Sequence, residues 1–548
     1  MKETNKSTIK GCSVFLRDKI NSIDWKLLVF LILFLNVKLL VKVIAIILLY
    51  FLRPDFSFGF RLKNSRLPFF YIIVIAIAVI NLVISRLFTQ LNYDLVFAAG
   101  ISFWAILILA IHQVKLSIEK NDPAIIHRTL VYFFMLNVAV SLLMYSGIVW
   151  QAGTLNPFRY QGEFQKYFIS TGDYIRGITL DNSTTNAIIN AFGVFYFLSR
   201  KNIVCCLSCM AILLLTGSNL VNILFCLVLL YVFIFQSTKD QKSVLVICAM
   251  LLVVFLAKVS PENKNYLSEY YDIYCNNKIP QADNKLVNIV ADRSTETKQQ
   301  IARAYLDSVN NLKEANKVIG GINPLLVSQI TGKPAIPVAN INSSLYQHKQ
   351  DTTELQKRLL YFIDMNKALL PLSGKDTPVK LLYPGKVLAL QQTVNYLAQH
   401  PAKILTGTGP GNFSSKLAYR STAMNISGGY PVKYAYINRD FTTNHLDLYL
   451  YYFSRLDFFH SVINTPNAVY DQLLAEYGVL GLLSFFIFYI AFFTRHYKQL
   501  TYGIPILLIM IGAFFIDYWF EQLSVVIIFE LLLLLNNKEA QIKQSLQQ

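Results

Sequence analysis

Residues 407–413 read Gly407-Thr-Gly-Pro-Gly-Asn-Phe413, three glycines and a proline within five positions. Such a run forces a tight turn whose backbone amides no side chain screens, and amides of that kind can cradle an anion. The same run also serves as a rigid joint that ends one helix and aims the next segment. Cys205, Cys206 and Cys209 place thiols near one another, but no histidine or carboxylate lies close by on that helix, so no zinc site is expected. Residues 430–459 carry Tyr434, Tyr436, Phe441, Tyr449, Tyr451, Tyr452, Phe453 and Phe458. Aromatic rings stack on sugars and also gather at a membrane boundary, and the second use suits the run 448–453 better.

The elements that must hold these groups follow from composition. The chain has 548 residues, 54% apolar and 15% charged, with mean hydropathy +0.43. Soluble domains carry about 25% charged residues, so a soluble cytosolic enzyme is excluded. The apolar residues fall in blocks that predict twelve membrane spans: about 27–37 with 40–52, then 68–88, 94–112, 130–150, 183–199, 202–216, 219–236, 243–259, 471–494, 503–517 and 523–536. Read as one helix, the first block would strand Lys38 and Lys42 in the bilayer, each at about 2.5–3.5 kcal/mol, so a short hairpin is expected. With that hairpin, one set of connecting segments holds 21 basic residues and the short loops of the other set hold Arg159, Lys166 and Arg176. This bias places both termini inside and the long insert outside. It also accounts for the net charge of +18 without nucleic acid as a partner.

The resulting organisation is a cytoplasmic segment 1–26, a first membrane block 27–259, an extracytoplasmic domain 260–470, three last spans in 471–536 and a cytoplasmic tail 537–548. The amino terminus lacks a small-residue cleavage site after its apolar run, so an uncleaved first span is expected. Inside the insert, Ile301, Tyr305, Val309 and Leu312 recur with helical period, as do Val387, Leu390, Val394 and Leu397 in a helix over 385–399. The fold class is therefore an all-α polytopic membrane protein with a large, mainly helical extracytoplasmic insert before the last three helices.

Several segments then fall into one order. Gly385-Lys386, Ala398-Gln-His400-Pro401 and Gly407 to Phe413 resemble the "GR…W…HP…GxGxGNF" stretch of the O-antigen ligase and Wzy-type O-antigen polymerase superfamily. Residues 467–481, from Asn467 through Asp471, Glu476 and Gly481, are similar to the family's "HNxYLQLLAEYGLLG" segment. Upstream, Arg176-Gly177 with Asn186, and Thr216-Gly217-Ser218, resemble its "RxxG…N" and "TgSR" elements. Three positions depart: Lys386 replaces an arginine, Asn219 replaces the arginine of the serine element, and Asn467 stands where the family carries its histidine.

The resemblance implies a glycosyltransferase that uses undecaprenyl-pyrophosphate-linked glycan at the outer face of the bacterial inner membrane. An acceptor glycan or lipid supplies the attacking hydroxyl, in surface polysaccharide assembly. A departing lipid diphosphate gathers negative charge, which cations must meet where water screens poorly. Arg176 and Lys386, both on predicted outer segments, take that role, with Gly407, Gly409, Gly411 and Asn412 as further substrate contacts. Because Asn467 cannot accept a proton, the candidates for a base are His460, Asp471 and Glu476, with His445 and His400 also outside. The first outer loop, 89–93, offers no acidic pair beyond the lone Asp94, so neither a divalent metal nor another cofactor is expected. Two other readings stay open: a glycolipid flippase or exporter, and a relative that binds lipid-linked glycan without turning it over.

Overall fold

The computed structural model describes residues 22–62, 64–159, 171–260, 384–422, 430–446, 448, 462 and 465–547. Among these residues the secondary structure is helical throughout, with no strand. The chain opens with a hairpin of α1 (Trp25–Phe34) and α2 (Leu39–Leu52). Asp24 caps α1 by accepting from the Leu27 amide at 3.0 Å and receives both Nη2 contacts of Arg53 at 2.9 Å, so the open end is clamped. At the closed end, Lys42 donates to the Phe34 carbonyl and to Ser524 Oγ, each at 2.7 Å. These bonds satisfy a buried ammonium that would otherwise cost several kcal/mol. Lys38 sits on the bend, exposed.

Next come α3 (Phe70–Ile84), α4 (Tyr93–Lys120), α5 (Pro123–Ala152), α6 (Ser183–Ser199), α7 (Ile203–Leu215), α8 (Asn219–Phe235) and α9 (Lys239–Val254). Pro123 opens α5, where its missing N–H is no loss, and a capping box of Thr238 and Gln241 opens α9. After the segment outside the description come α10 (Gly385–Gln399), the short α11 (Lys416–Ser421) and α12 (Arg439–Asn444), then α13 (Val469–Ser484). A π-helical stretch, Phe485–Ile490, extends α13, and α14 (Gly503–Ala513), α15 (Trp519–Gln522) and α16 (Ser524–Gln547) complete the chain. Sequence periodicity ends the last helix near 536, but α16 runs on to Gln547, held by Arg200 on Glu539 and by Lys538 on two carbonyls.

The core is built around α6 and the first half of α16, which are mostly apolar and buried on all sides, packed by α4, α7 and α14. An aromatic cluster of Phe70, Trp104, Phe485, Tyr489 and Phe520 locks α3, α4, α13 and α15 together edge to face. The outward faces of α2, α8 and α9 are apolar as well, with Phe51 at 84% and Phe235 at 71% exposure. By length and apolar composition, four helical segments suffice to cross a bilayer: Tyr93–Lys120, Pro123–Ala152, Lys239–Val259 and Val469–Phe493. The other apolar helices are shorter, 10–17 residues, so twelve full crossings are not what the described helices display.

The contacts at the bundle's ends sort the connecting segments into two groups. One end gathers Asp24, Arg53, Arg66, Glu119, Arg200, Arg495 and Glu539. The other gathers the α1–α2 bend against Thr179, the 407–413 turn against α3 and α13, and Asn467 against Asp517. The helix over 385–399 forms, and of the stripe read from its sequence Leu397 is buried while Val387, Leu390 and Val394 are exposed; the buried side is Leu388, Ala389, Gln392, Thr393, Tyr396 and Leu397. Gln392 and Thr393 hide that side from a hydrophobicity pattern. The repeat at 301–312 lies outside the described residues.

Candidate functional site

The glycine-rich turn holds an anion, and the anion is the protein's own. Glu476 on α13 accepts from the amides of Gly411 at 2.9 Å, Phe413 at 3.1 Å and Ser415 at 3.1 Å. Thr408 and Gly409 donate their amides to the carbonyls of Ala475 and Glu476, both at 2.9 Å. Gly407 has φ +74°, and a Cβ there would stand 2.4 Å from the backbone of Glu476, so the approach requires glycine. Asn412 is buried beside it, donating to the Thr408 carbonyl at 2.8 Å and accepting from Tyr436 and Asn438 at 2.8 and 2.9 Å. Gly407, Gly409, Gly411 and Asn412 therefore hold Glu476 and the joint between α10 and α13, where the sequence reading placed a substrate anion. Glu476, with its oxygens committed to three amides, braces this joint and is not presented as a base.

Lys386 is also committed. Its ammonium donates to Thr465 Oγ1 at 3.2 Å, the Asn467 carbonyl at 2.5 Å and the Ile516 carbonyl at 2.9 Å, which fills all three of its donors. Burial pushes its pKa down to about 7, against the opposing charges of Asp517 and Asp471. In this position it ties α10 to the start of α13 and the end of α14, and no N–H remains for a phosphate. Asn467 turns its amide to Asp517 Oδ1 at 3.2 Å. Asp471 is buried, with His445 Nε2 3.9 Å from its Oδ2 and the His445 ring edge-on to Phe413. This imidazole and carboxylate come together from α12 and α13, although 26 positions separate them in sequence. His400 stacks on Tyr396 at the end of α10, and His460 lies outside the described residues.

Arg176 belongs to a separate turn. Gly177, at φ +60°, presses against the side chains of Asn137 and Asn186, which bond to each other at 2.9 Å. Asn186 also donates to the Ile175 carbonyl at 2.9 Å, and Gly172 lies against Thr216 and Gly217. The upstream elements singled out in the sequence thus pack into one unit. Arg176 Nε reaches the Asp173 carbonyl at 3.4 Å and its guanidinium lies over Tyr174 at 5.8 Å. Its terminal nitrogens make no hydrogen bond among the described residues.

Sequence reasoning missed Lys416 and Arg420. They stand one helical turn apart on α11, directly after the glycine-rich turn, and are half-buried. No hydrogen bond or ion pair engages either side chain among the described residues. Lys416 acts electrostatically on Asp181 and, with Arg420, on Glu521. Glu521, on α15, accepts from Gln472 at 2.7 Å and lines a cavity of about 10 Å³ with Gln472, Leu417 and Trp104. Burial first, then the neighbouring Glu476, pushes the Glu521 carboxyl up to about 8, and burial raises Asp181 too. Lys416 and Arg420 thus face a carboxyl group whose charged form burial disfavours. The signal available in the sequence was the basic pair at i and i+4 after the turn.

Among the described residues no group of three or more His, Cys, Asp or Glu side chains converges as a metal site. Compared with known protein families, with characterised proteins and with solved structures, the chain matches none.

Proposed function

We propose that this chain is a membrane glycosyltransferase of the O-antigen ligase or polymerase type. It would move a glycan from undecaprenyl pyrophosphate to an acceptor hydroxyl at the outer face of the bacterial inner membrane, with the Lys416 end of the bundle facing outward. One observation carries the reading: at one end of an apolar bundle Lys416 and Arg420 make no hydrogen bond or ion pair among the described residues, and both act electrostatically on Glu521, whose carboxyl burial pushes up to about 8. Arg176 adds a guanidinium on a separate turn at the same end, with terminal nitrogens that make no hydrogen bond among the described residues.

In this reading the acceptor oxygen bonds to the anomeric carbon as the bond from that carbon to the diphosphate oxygen breaks. Arg420 and Arg176 grip phosphate oxygens in pairs and Lys416 supplies a point charge, so the leaving diphosphate is stabilised as its charge grows. Glu521 accepts the proton from the attacking hydroxyl, a task suited to a carboxylate with its pKa raised toward neutrality. Lys386 and Glu476 hold the frame on which α11 sits.

The test is turnover of lipid-linked repeat units by purified protein. Lys416→Ala and Arg420→Ala should each lower kcat by roughly 10²–10³, as for loss of a donor to a developing oxyanion. Near-normal rates in both would remove the assignment. A chelator should leave the rate unchanged. Lengthened chains indicate a polymerase and transfer to a lipid A core a ligase, whereas movement of intact donor between leaflets supports a transporter.

A further inference from the structure

The opposite end of the bundle holds a basic cavity, of about 220 Å³, lined by the end of α4, the turn before α3, the residues after the π-helical stretch and the second half of α16. Arg66, Lys115, Arg495 and Lys538 line it, and Glu119 is its one carboxylate. Arg66 and Glu119 satisfy each other: the guanidinium meets Oε2 at 3.1 Å through Nε and at 2.6 Å through Nη2, and its remaining nitrogen turns to Ser57. Lys115 reaches Glu119 only at 3.5 Å. Lys538 donates to the carbonyls of Ile118 and Asn121 at 2.7 Å each, which leaves one of its three N–H groups.

Arg495 is different. Its guanidinium lies over the ring of Phe492 at 4.8 Å and forms no hydrogen bond among the described residues. The charges of Arg66 and Arg495 both act on Lys115, so with Lys538 four cations surround one space whose lining holds the single carboxylate of Glu119. His496, bonded weakly to Gln541 at 3.4 Å, adds a ring nitrogen and no acid. Like charges held together in this way lower each other's stability unless an anion sits between them. The donor set, a planar guanidinium braced by an aromatic ring with two ammonium groups, is the one that suits phosphate oxygens. Phe492, Leu534 and Ile118 give the cavity an apolar side, and basic pockets between helices at a bundle's end are the places where lipid phosphates lodge.

We infer that this cavity binds a phosphate group, with Arg495, Lys115 and Lys538 as its donors. The phosphate belongs either to the head group of an anionic phospholipid or to a soluble phosphate compound, and the cavity's chemistry is the same for both. The site is independent of the glycan chemistry at the far end, so failure of one leaves the other standing.

The experiment uses the full chain in nanodiscs of zwitterionic phosphatidylcholine. In one arm, phosphatidylglycerol is added and its retention measured by native mass spectrometry; in the other, inorganic pyrophosphate is titrated and the melting temperature followed. Binding in either arm, weakened about tenfold or more by Arg495→Gln and by Lys115→Met and largely kept by Arg495→Lys, supports the site. Phosphatidylglycerol alone identifies a lipid ligand, and pyrophosphate alone a soluble one. Arg495 is exposed, so its substitution tests binding with the fold intact. No binding in either arm, or binding unchanged by both neutral variants, overturns the inference.

Discussion

Glu476 and Glu521 show how differently two buried carboxyls can be used within one site. Glu476 receives three backbone amides and holds α13 against the glycine-rich turn. Replacing it by Gln puts an amide where only acceptors fit, and the folded state should lose about 3 kcal/mol, read as a lower melting temperature of the solubilised protein. Glu521 has one donor among the described residues, Gln472, and burial pushes its carboxyl from the usual 4.5 up to about 8. The folded protein therefore keeps a proton that the unfolded chain releases between those values. Its contribution is fully present below about pH 4.5 and is lost as pH rises through about 8. The stability of the native protein relative to Glu521→Gln should fall across that window, and a pH-independent difference would contradict the assignment. On the proposed glycosyltransferase reading, turnover by the native protein should rise toward pH 8 and lose that limb in the variant.

At the scale of elements, the joint between α10 and α13 is the piece that orders the rest. Gly407 reaches a left-handed φ with the backbone of Glu476 beneath it, and Lys386 ties the same joint to the end of α14. Gly407→Ala should cost more than about 2 kcal/mol, since neither the dihedral nor the backbone contact can relax cheaply. Lys386→Met should likewise lower stability, because it removes the donor from two buried carbonyls, while substrate affinity in the folded fraction changes little. Equal loss of affinity and stability would return Lys386 to the substrate. Helices were the easiest part to read: the α1 and α2 hairpin follows from two lysines that had to avoid the bilayer centre. The stripe of α10 was misjudged because its buried side carries Gln392 and Thr393, which find their environment only in the packed structure.

For the whole molecule, the two ends of the bundle carry separate charge systems, a mixed acidic and basic site around Lys416 and a cluster of cations around Arg495. Under the proposed function they face opposite sides of the membrane, as the bias of 21 basic residues to three leads one to expect. In a variant without the seven native cysteines, Lys433→Cys should react with an impermeant maleimide in cells whose outer membrane is made permeable. Lys120→Cys should react only after the inner membrane is opened, and the reverse pattern would invert the orientation.

Composition and spacing were enough to determine an all-helical chain with apolar blocks, basic connecting segments, a tight glycine turn and a short list of polar residues. These are local properties, set by hydropathy and by backbone geometry over a few residues. Which of those polar residues face each other was decided by tertiary packing, because Glu476 meets the 411–415 amides across more than 60 positions and Lys386 meets Ile516 across 130. Packing turned the expected anion cradle and one expected cation into braces, and it set Lys416 and Arg420 within electrostatic reach of Glu521 with no hydrogen bond or ion pair of their own among the described residues. A charge in a sequence has no partner until the fold supplies one, so only the structure separates a cation that holds the frame from one left open to a ligand.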